Sequence, residues 1–194
     1  MSEGDWKSRG CIFCKSGKER AVVRQFEKSF PGSRAIAPTK SRYRRTKDAA
    51  IEDREILLPG YVFFEVNGSP DENDLLNVLQ SLSRLEDVLK LLRYTDGDWR
   101  LHGPDDLFAE MLFRLGGNID VSQAYFDEGD RIRIQSGFLK DYEGCITRVN
   151  RKTRSVEVHM DFHDKNVVMW LGYELVTKVA SPKASDGASD EITA

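Results

Sequence analysis

The chain has 194 residues, of which 40% are hydrophobic and 31% charged, with a formal net charge of −3. That balance fits one large or two small globular domains. No apolar run approaches the roughly 20 residues a membrane-spanning helix needs, and Met1 to Arg9 lacks the apolar core of a secretory signal. No membrane partner is therefore expected, and a cytoplasmic location is.

The charge is segregated. Residues 1–60 hold 14 Lys and Arg against 8 Asp and Glu, whereas residues 61–125 hold 5 against 12. A one-sided basic patch can therefore exist on an acidic protein, and nucleic acid stays open as a partner. Three cysteines argue against a disulfide framework. Cys11 and Cys14 form a C-x-x-C, but a structural zinc site takes four ligands and there is no second such pair. The segment reads as a strand with its two thiols on opposite faces, which favours two buried small hydrophobes over metal or redox chemistry. No metal and no cofactor are expected.

Gly10 to Lys15 reads as a short strand. Ser16-Gly-Lys-Glu19 has the form of a capping box that opens a helix, on which Val22, Val23, Phe26 and Phe30 share a face. Pro31-Gly32 stops it, and Arg34 to Pro38 is a second strand. Lys40-Ser-Arg-Tyr-Arg-Arg-Thr-Lys47 then packs five basic residues around Tyr43, in what reads as a long hairpin or loop standing off the sheet. Such a run is either a solvated loop or a phosphate-neutralising arm with a ring to stack on a base.

Glu55 to Val66 is the third strand. Ile56, Leu57, Leu58, Tyr61, Val62, Phe63 and Phe64 are too many large apolar groups for one strand face, and Pro59 forces a kink or an edge. The run is either a core strand entered through a kink or a strand part of which lines a surface pocket for another protein. Pro70 to Asp74 begins a helix with Leu75, Leu76, Val78, Leu79 and Leu82 apolar. Val88 to Leu92 reads as a buried strand and Thr95 to Asp98 as a turn. Pro104-Asp-Asp starts a helix with Leu107, Phe108, Met111, Leu112 and Leu115 inward, ended by Gly116-Gly117. The pattern describes an α/β sandwich, a sheet covered by helices.

Asn118 to Tyr125 reads as a linker. Beyond it lie short strands at 131–134, 144–149, 156–160 and 167–171 with turn signals between them, the signature of a small β-barrel. The chain from Ser181 on is small, polar and expected to be disordered. The expected domains are 1–117, a linker 118–125, a barrel 126–179 and a tail 180–194.

Gly129-Asp130, Arg131-Ile-Arg-Ile134, Ser136-Gly137, Phe138-Leu139 and Tyr142-Glu-Gly144 resemble a KOW motif, found in SH3-like barrels of ribosomal proteins and transcription elongation factors. Upstream, Lys15-Ser-Gly-Lys-Glu19, Ala37-Pro-Thr39 and Leu57-Leu-Pro-Gly-Tyr-Val62 match in order the landmarks of the NusG N-terminal (NGN) domain. The resemblance covers roughly residues 9–178. Val88 to Leu92 and the barrel sequence are most similar to the specialised paralogue LoaP, an antitermination factor.

The resemblance implies an α+β protein, an NGN sandwich with an antiparallel sheet followed by a KOW barrel, that regulates elongation by RNA polymerase and is not an enzyme. In the family an apolar cavity grips the clamp helices of the polymerase's largest subunit. The matching residues are Leu57, Leu58, Pro59, Gly60 and Tyr61, with Leu where the family often has Phe. Basic residues beside that cavity approach non-template DNA, which points to Lys40, Arg42, Tyr43, Arg44, Arg45 and Lys47. The LoaP likeness adds recognition of an RNA hairpin.

Family barrels recruit ribosomal protein S10 or Rho through a loop whose aromatic matches Phe162, although the family's next Gly is His163 here. The family's Trp-Tyr pair in the first strand corresponds to Arg9-Gly10, which leaves either a later strand start or a substitute aromatic in Trp6. Unlike the relative RfaH, whose C-terminal domain refolds between helices and a barrel, residues 131–171 favour strands throughout. The competing reading is a KOW-type RNA-binding protein of translation or RNA handling. Catalysis has no support, because His102, His159 and His163 lie in no nucleophile or metal motif.

Overall fold

The computed structural model describes residues 7–45, 50–67, 80 and 87–177. Strands β1 (Lys7–Cys14), β2 (Arg34–Ile36), β5 (Tyr61–Asn67) and β6 (Val88–Leu91), numbered in chain order among those residues, form an antiparallel sheet in the order β2-β5-β1-β6.

Both faces of this sheet are buried, and the alternation of strand side chains sorts them cleanly. On one face Ile12, Cys14, Val62, Phe64 and Val66 pack with Val22 and Phe26 of helix α1 (Glu19–Ser29). On the other, Cys11 and Phe63 join Phe108 and Leu112 of helix α2 (Gly103–Arg114). The excess of apolar residues in β5 thus has a physical cause: a central strand covered on both sides needs no polar face. Cys11 and Cys14 do lie on opposite faces and both are buried. Burial, then the neighbouring Glu19 and Asp87, push the Cys14 thiol up to about 11, so it stays protonated and unreactive near neutral pH.

Strands β3 (Thr39–Arg45) and β4 (Ala50–Ile56) pair antiparallel, with Lys40 opposite Glu55 and Arg42 opposite Asp53. The basic segment is therefore a β-hairpin with a sheet of its own, completed by the two-residue strand β7 (Asn118–Ile119) parallel to β3. The remaining strands, β8 (Ser122–Phe126), β9 (Ile132–Ser136), β10 (Ile146–Asn150), β11 (Ser155–Phe162) and β12 (Lys165–Leu175), form a five-stranded sheet ordered β10-β11-β12-β8-β9. It gathers Ala124, Ile134, Leu139, Val156, Val158, Met169, Leu171 and Tyr173 into its interior. Residues 131–171 are strands joined by turns and two short 3-10 helices, with no α-helix.

Several sequence expectations are corrected. Residues 118–125, read as a linker, hold β7 and most of β8. The capping box does not form: α1 has no side-chain cap, and Glu19 is used elsewhere. Strand β6 is an edge rather than a buried strand, with Leu89 55% exposed. Helix α2 turns Ala109 and Phe113 inward in place of Leu107 and Leu115, which are 67% and 42% exposed. The expected helix over 70–82 lies outside the described residues save Gln80, as do Trp6 and the tail 180–194.

The first strand begins at Lys7, and Gly10 sits opposite Phe64. A Cβ on Gly10 would lie 2.4 Å from the Phe64 ring and 2.9 Å from Trp99. The glycine makes room for the stack of Phe64 on Trp99, whose rings are 5.6 Å apart. An aromatic far along the chain therefore covers the site where the first strand lacks one.

Candidate partner-binding surface

The turn between β4 and β5 carries Leu57, Leu58, Pro59 and Gly60. Gly60 has a φ of 85°, and a Cβ there would meet the Cys14 carbonyl at 2.9 Å, so only glycine fits without strain. Its carbonyl accepts the Cys14 amide at 2.8 Å, and its own amide donates to Glu19 Oε1 at 2.7 Å. Gly17 donates to the same oxygen at 3.0 Å. Burial alone would push the Glu19 carboxyl up, but the amides of Gly60, Glu19 and Gly17 outweigh it and hold it below the ordinary carboxylate range. Helix α1 thereby fixes the turn through one buried charge.

Behind this turn the apolar side chains form one buried cluster that takes in Phe162 of the C-terminal sheet. Phe162, at the end of β11, is 1% exposed. Its ring lies 6.1 Å from Tyr61, 5.3 Å from Phe63 and 5.9 Å from Phe108. Leu57 and Leu58, matched by the resemblance to a partner-gripping cavity, are buried in the same cluster, while Pro59 is exposed and Tyr61 half-buried. Tyr61 also meets Phe13 edge-on at 5.1 Å. The residues expected to hold a partner and the residue expected to recruit a different partner are thus in contact with each other.

Beside this cluster, His163 donates its amide to Asp105 Oδ2 at 3.1 Å and stacks on Tyr94 at 4.4 Å. The Tyr94 hydroxyl donates to the same Asp105 oxygen at 2.6 Å. Burial, then that hydrogen bond, raises the Tyr94 pKa strongly. Nothing in the sequence pairs Tyr94, His102 and Asp105, because their meeting depends on β6, α2 and the β11–β12 turn coming together.

The C-terminal sheet also touches the basic hairpin. Lys40 Nζ donates to the Trp170 carbonyl at 2.8 Å and pairs with Glu55 at 3.0 Å. Gly172 lies so close that a Cβ would be 2.9 Å from Val121 and 3.4 Å from the Ser41 carbonyl. Arg42, Tyr43, Arg44 and Arg45 follow Lys40 along β3, and Lys47 lies outside the described residues. Among the described residues no group of three His, Cys, Asp or Glu is placed to hold a metal ion, and no helix is long and apolar enough to cross a membrane.

Phe162 thus seats the C-terminal sheet against the β4–β5 turn through Tyr61, and the same sheet meets the β3–β4 hairpin at Lys40. No family model matches the chain. A curated relative, the transcription termination/antitermination protein NusG of Borreliella burgdorferi, is 21% identical over 134 residues, which are 66% of this chain and 71% of that protein. Among solved structures the chain is similar to one described as "Domain interaction in Thermotoga maritima NusG", 19% identical with a TM-score of 0.49, covering 86% of this chain and 94% of that one.

Proposed function

We propose that this protein is a NusG-type transcription elongation factor that binds RNA polymerase through the pocket at Leu57, Leu58, Pro59, Gly60 and Tyr61. The observation that carries the reading is the apolar surface beside the turn that Glu19 fixes, which the C-terminal sheet covers by packing Phe162 on Tyr61 and Phe63. The ordered sequence landmarks and the likeness to a curated NusG support it. On this reading residues 1–117 are an NGN domain and residues 126–179 a KOW-type SH3-like barrel, and the partner in the pocket is the clamp helices of the largest polymerase subunit.

Phe162 and a polymerase helix compete for the same space, so the chain binds polymerase only when its C-terminal sheet has left the pocket. Release also exposes Phe162 for a second partner of the ribosomal protein S10 or Rho kind, with His163 altering the contact that a glycine would give. The hairpin residues Lys40, Arg42, Tyr43, Arg44, Arg45 and Lys47 face the non-template DNA strand in this reading, and processive antitermination with recognition of an RNA hairpin is its finer form. A hairpin RNA should then bind better than an unstructured RNA of equal length.

Fractionation of a lysate tests the class directly. The factor travels with RNA polymerase, and its sedimentation with ribosomes independently of transcription would favour an RNA-binding role in translation instead.

A further inference from the structure

The turn between β11 and β12 holds only two residues, since Phe162 pairs with Lys165. Both of them, His163 and Asp164, adopt positive φ, 51° and 58°. Such hairpin turns favour Asn and Gly, because a Cβ in the left-handed region crowds the following carbonyl oxygen. The chain nevertheless places a large side chain there. That imidazole lies on the Tyr94 ring, 4.4 Å between centroids and 22° between planes, and Tyr94 in turn stacks on His102 at 4.0 Å. Asp105 Oδ2 accepts both the His163 amide and the Tyr94 hydroxyl. The His163 Nε2 atom is buried with no hydrogen-bond partner among the described residues, so ring contact is what holds the side chain in place.

We propose that Tyr94, His102 and Asp105 form a second recognition subsite beside the apolar pocket, one that takes a planar, nitrogen-bearing side chain carried directly after the aromatic residue that fills the pocket. The occupant in this chain is His163. The proposal rests on Phe162 being the plug of the partner pocket, and it adds what makes that plug selective. Imidazole and guanidinium suit the subsite because both are planar and lie flat on a tyrosine face. An aliphatic side chain matches the apolar pocket but not this surface. Backbone strain at His163 persists because the stack and the amide bond to Asp105 hold it.

The test uses the full chain and reads closure from 15N relaxation of amides in β11 and β12 against those in β1 and β5: the two groups tumble together when closed and separately when open. His163→Gly relieves the strained turn, so a role confined to the turn leaves the chain closed. The subsite predicts the reverse, a closed-to-open ratio lowered roughly three- to tenfold, the worth of one ring stack. His163→Leu lowers it similarly, and His163→Arg restores it. Tyr94→Leu, on the other side of the contact, gives the same loss independently of any effect on the turn. A His163→Gly chain as closed as the parent, or equal closure with Leu and Arg at 163, overturns the subsite. Phe162→Ser separates the two ideas: if it opens the chain while His163→Gly does not, only the subsite fails, and if it stays closed the plug itself is wrong.

Discussion

The Glu19 carboxylate accepts the Gly60 amide at 2.7 Å across 41 residues of chain. Through that bond the first turn of α1 sets the shape of the β4–β5 turn, and with it the rim of the pocket. A buried hydrogen bond to a charged group is worth about 1.5–3 kcal/mol, so Glu19→Ala should lower stability by that order, as read by urea denaturation.

The same group sets a pH dependence. Its folded pKa lies below its unfolded value of 4.5, so its contribution is complete above that value and is lost as pH falls through the lower folded pKa. Stability should decline on acidification below about pH 4.5, and Glu19→Gln should flatten that part of the profile. An unchanged slope in the Gln variant would show that other carboxylates carry it.

Gly10 offers a test of the other sheet face. A methyl group there would meet the Phe64 ring at 2.4 Å, in a layer held between α1 and Trp99. Gly10→Ala should destabilise the N-terminal sheet by about 1–3 kcal/mol through overpacking. Calorimetry would register a fall in Tm, and Phe64→Leu in the same chain should recover part of it.

The basic hairpin predicts a steep salt dependence for nucleic-acid binding. Changing Arg42, Arg44 and Arg45 together to Ala should weaken binding and lower the slope of log K against log salt by about 0.7–0.9 for each phosphate no longer neutralised. Fluorescence anisotropy with a labelled single strand measures both. Affinity that ignores salt, or survives the triple change, would remove the hairpin from the nucleic-acid interface.

Much of the fold was legible in the sequence because its signals are local. Val22 and Phe26 recur at helical spacing, Pro31-Gly32 stops the helix, and the strand-and-turn rhythm after residue 130 has one reading. What was not legible depends on distant partners. Ser16 and Glu19 have the spacing of a capping box, yet the carboxylate is drawn to Gly60 because that amide is buried and needs an acceptor. Helix α2 carries apolar residues nearly all round, so periodicity alone could not tell that Phe113 faces in and Leu107 out. The crowding of large residues around Pro59 was legible, but their contact with Phe162 was not, because Phe162 lies far along the chain and its resemblance pointed to a separate partner rather than to Tyr61. Asp105 was legible only as part of a helix start, and nothing in the sequence paired it with Tyr94.

The central claim is that one apolar pocket is shared between Phe162 of this chain and a helix of RNA polymerase. The most direct measurement is the affinity of the full chain for RNA polymerase, compared among the parent, Phe162→Ser and the double variant Leu58→Ser with Tyr61→Ser. If closure limits binding, apparent affinity is reduced by the fraction of open chains. Phe162→Ser should then bind more tightly than the parent, and the double variant should lose binding while its N-terminal sheet stays folded. Unchanged affinity in the double variant, or weaker binding by Phe162→Ser, would contradict the account.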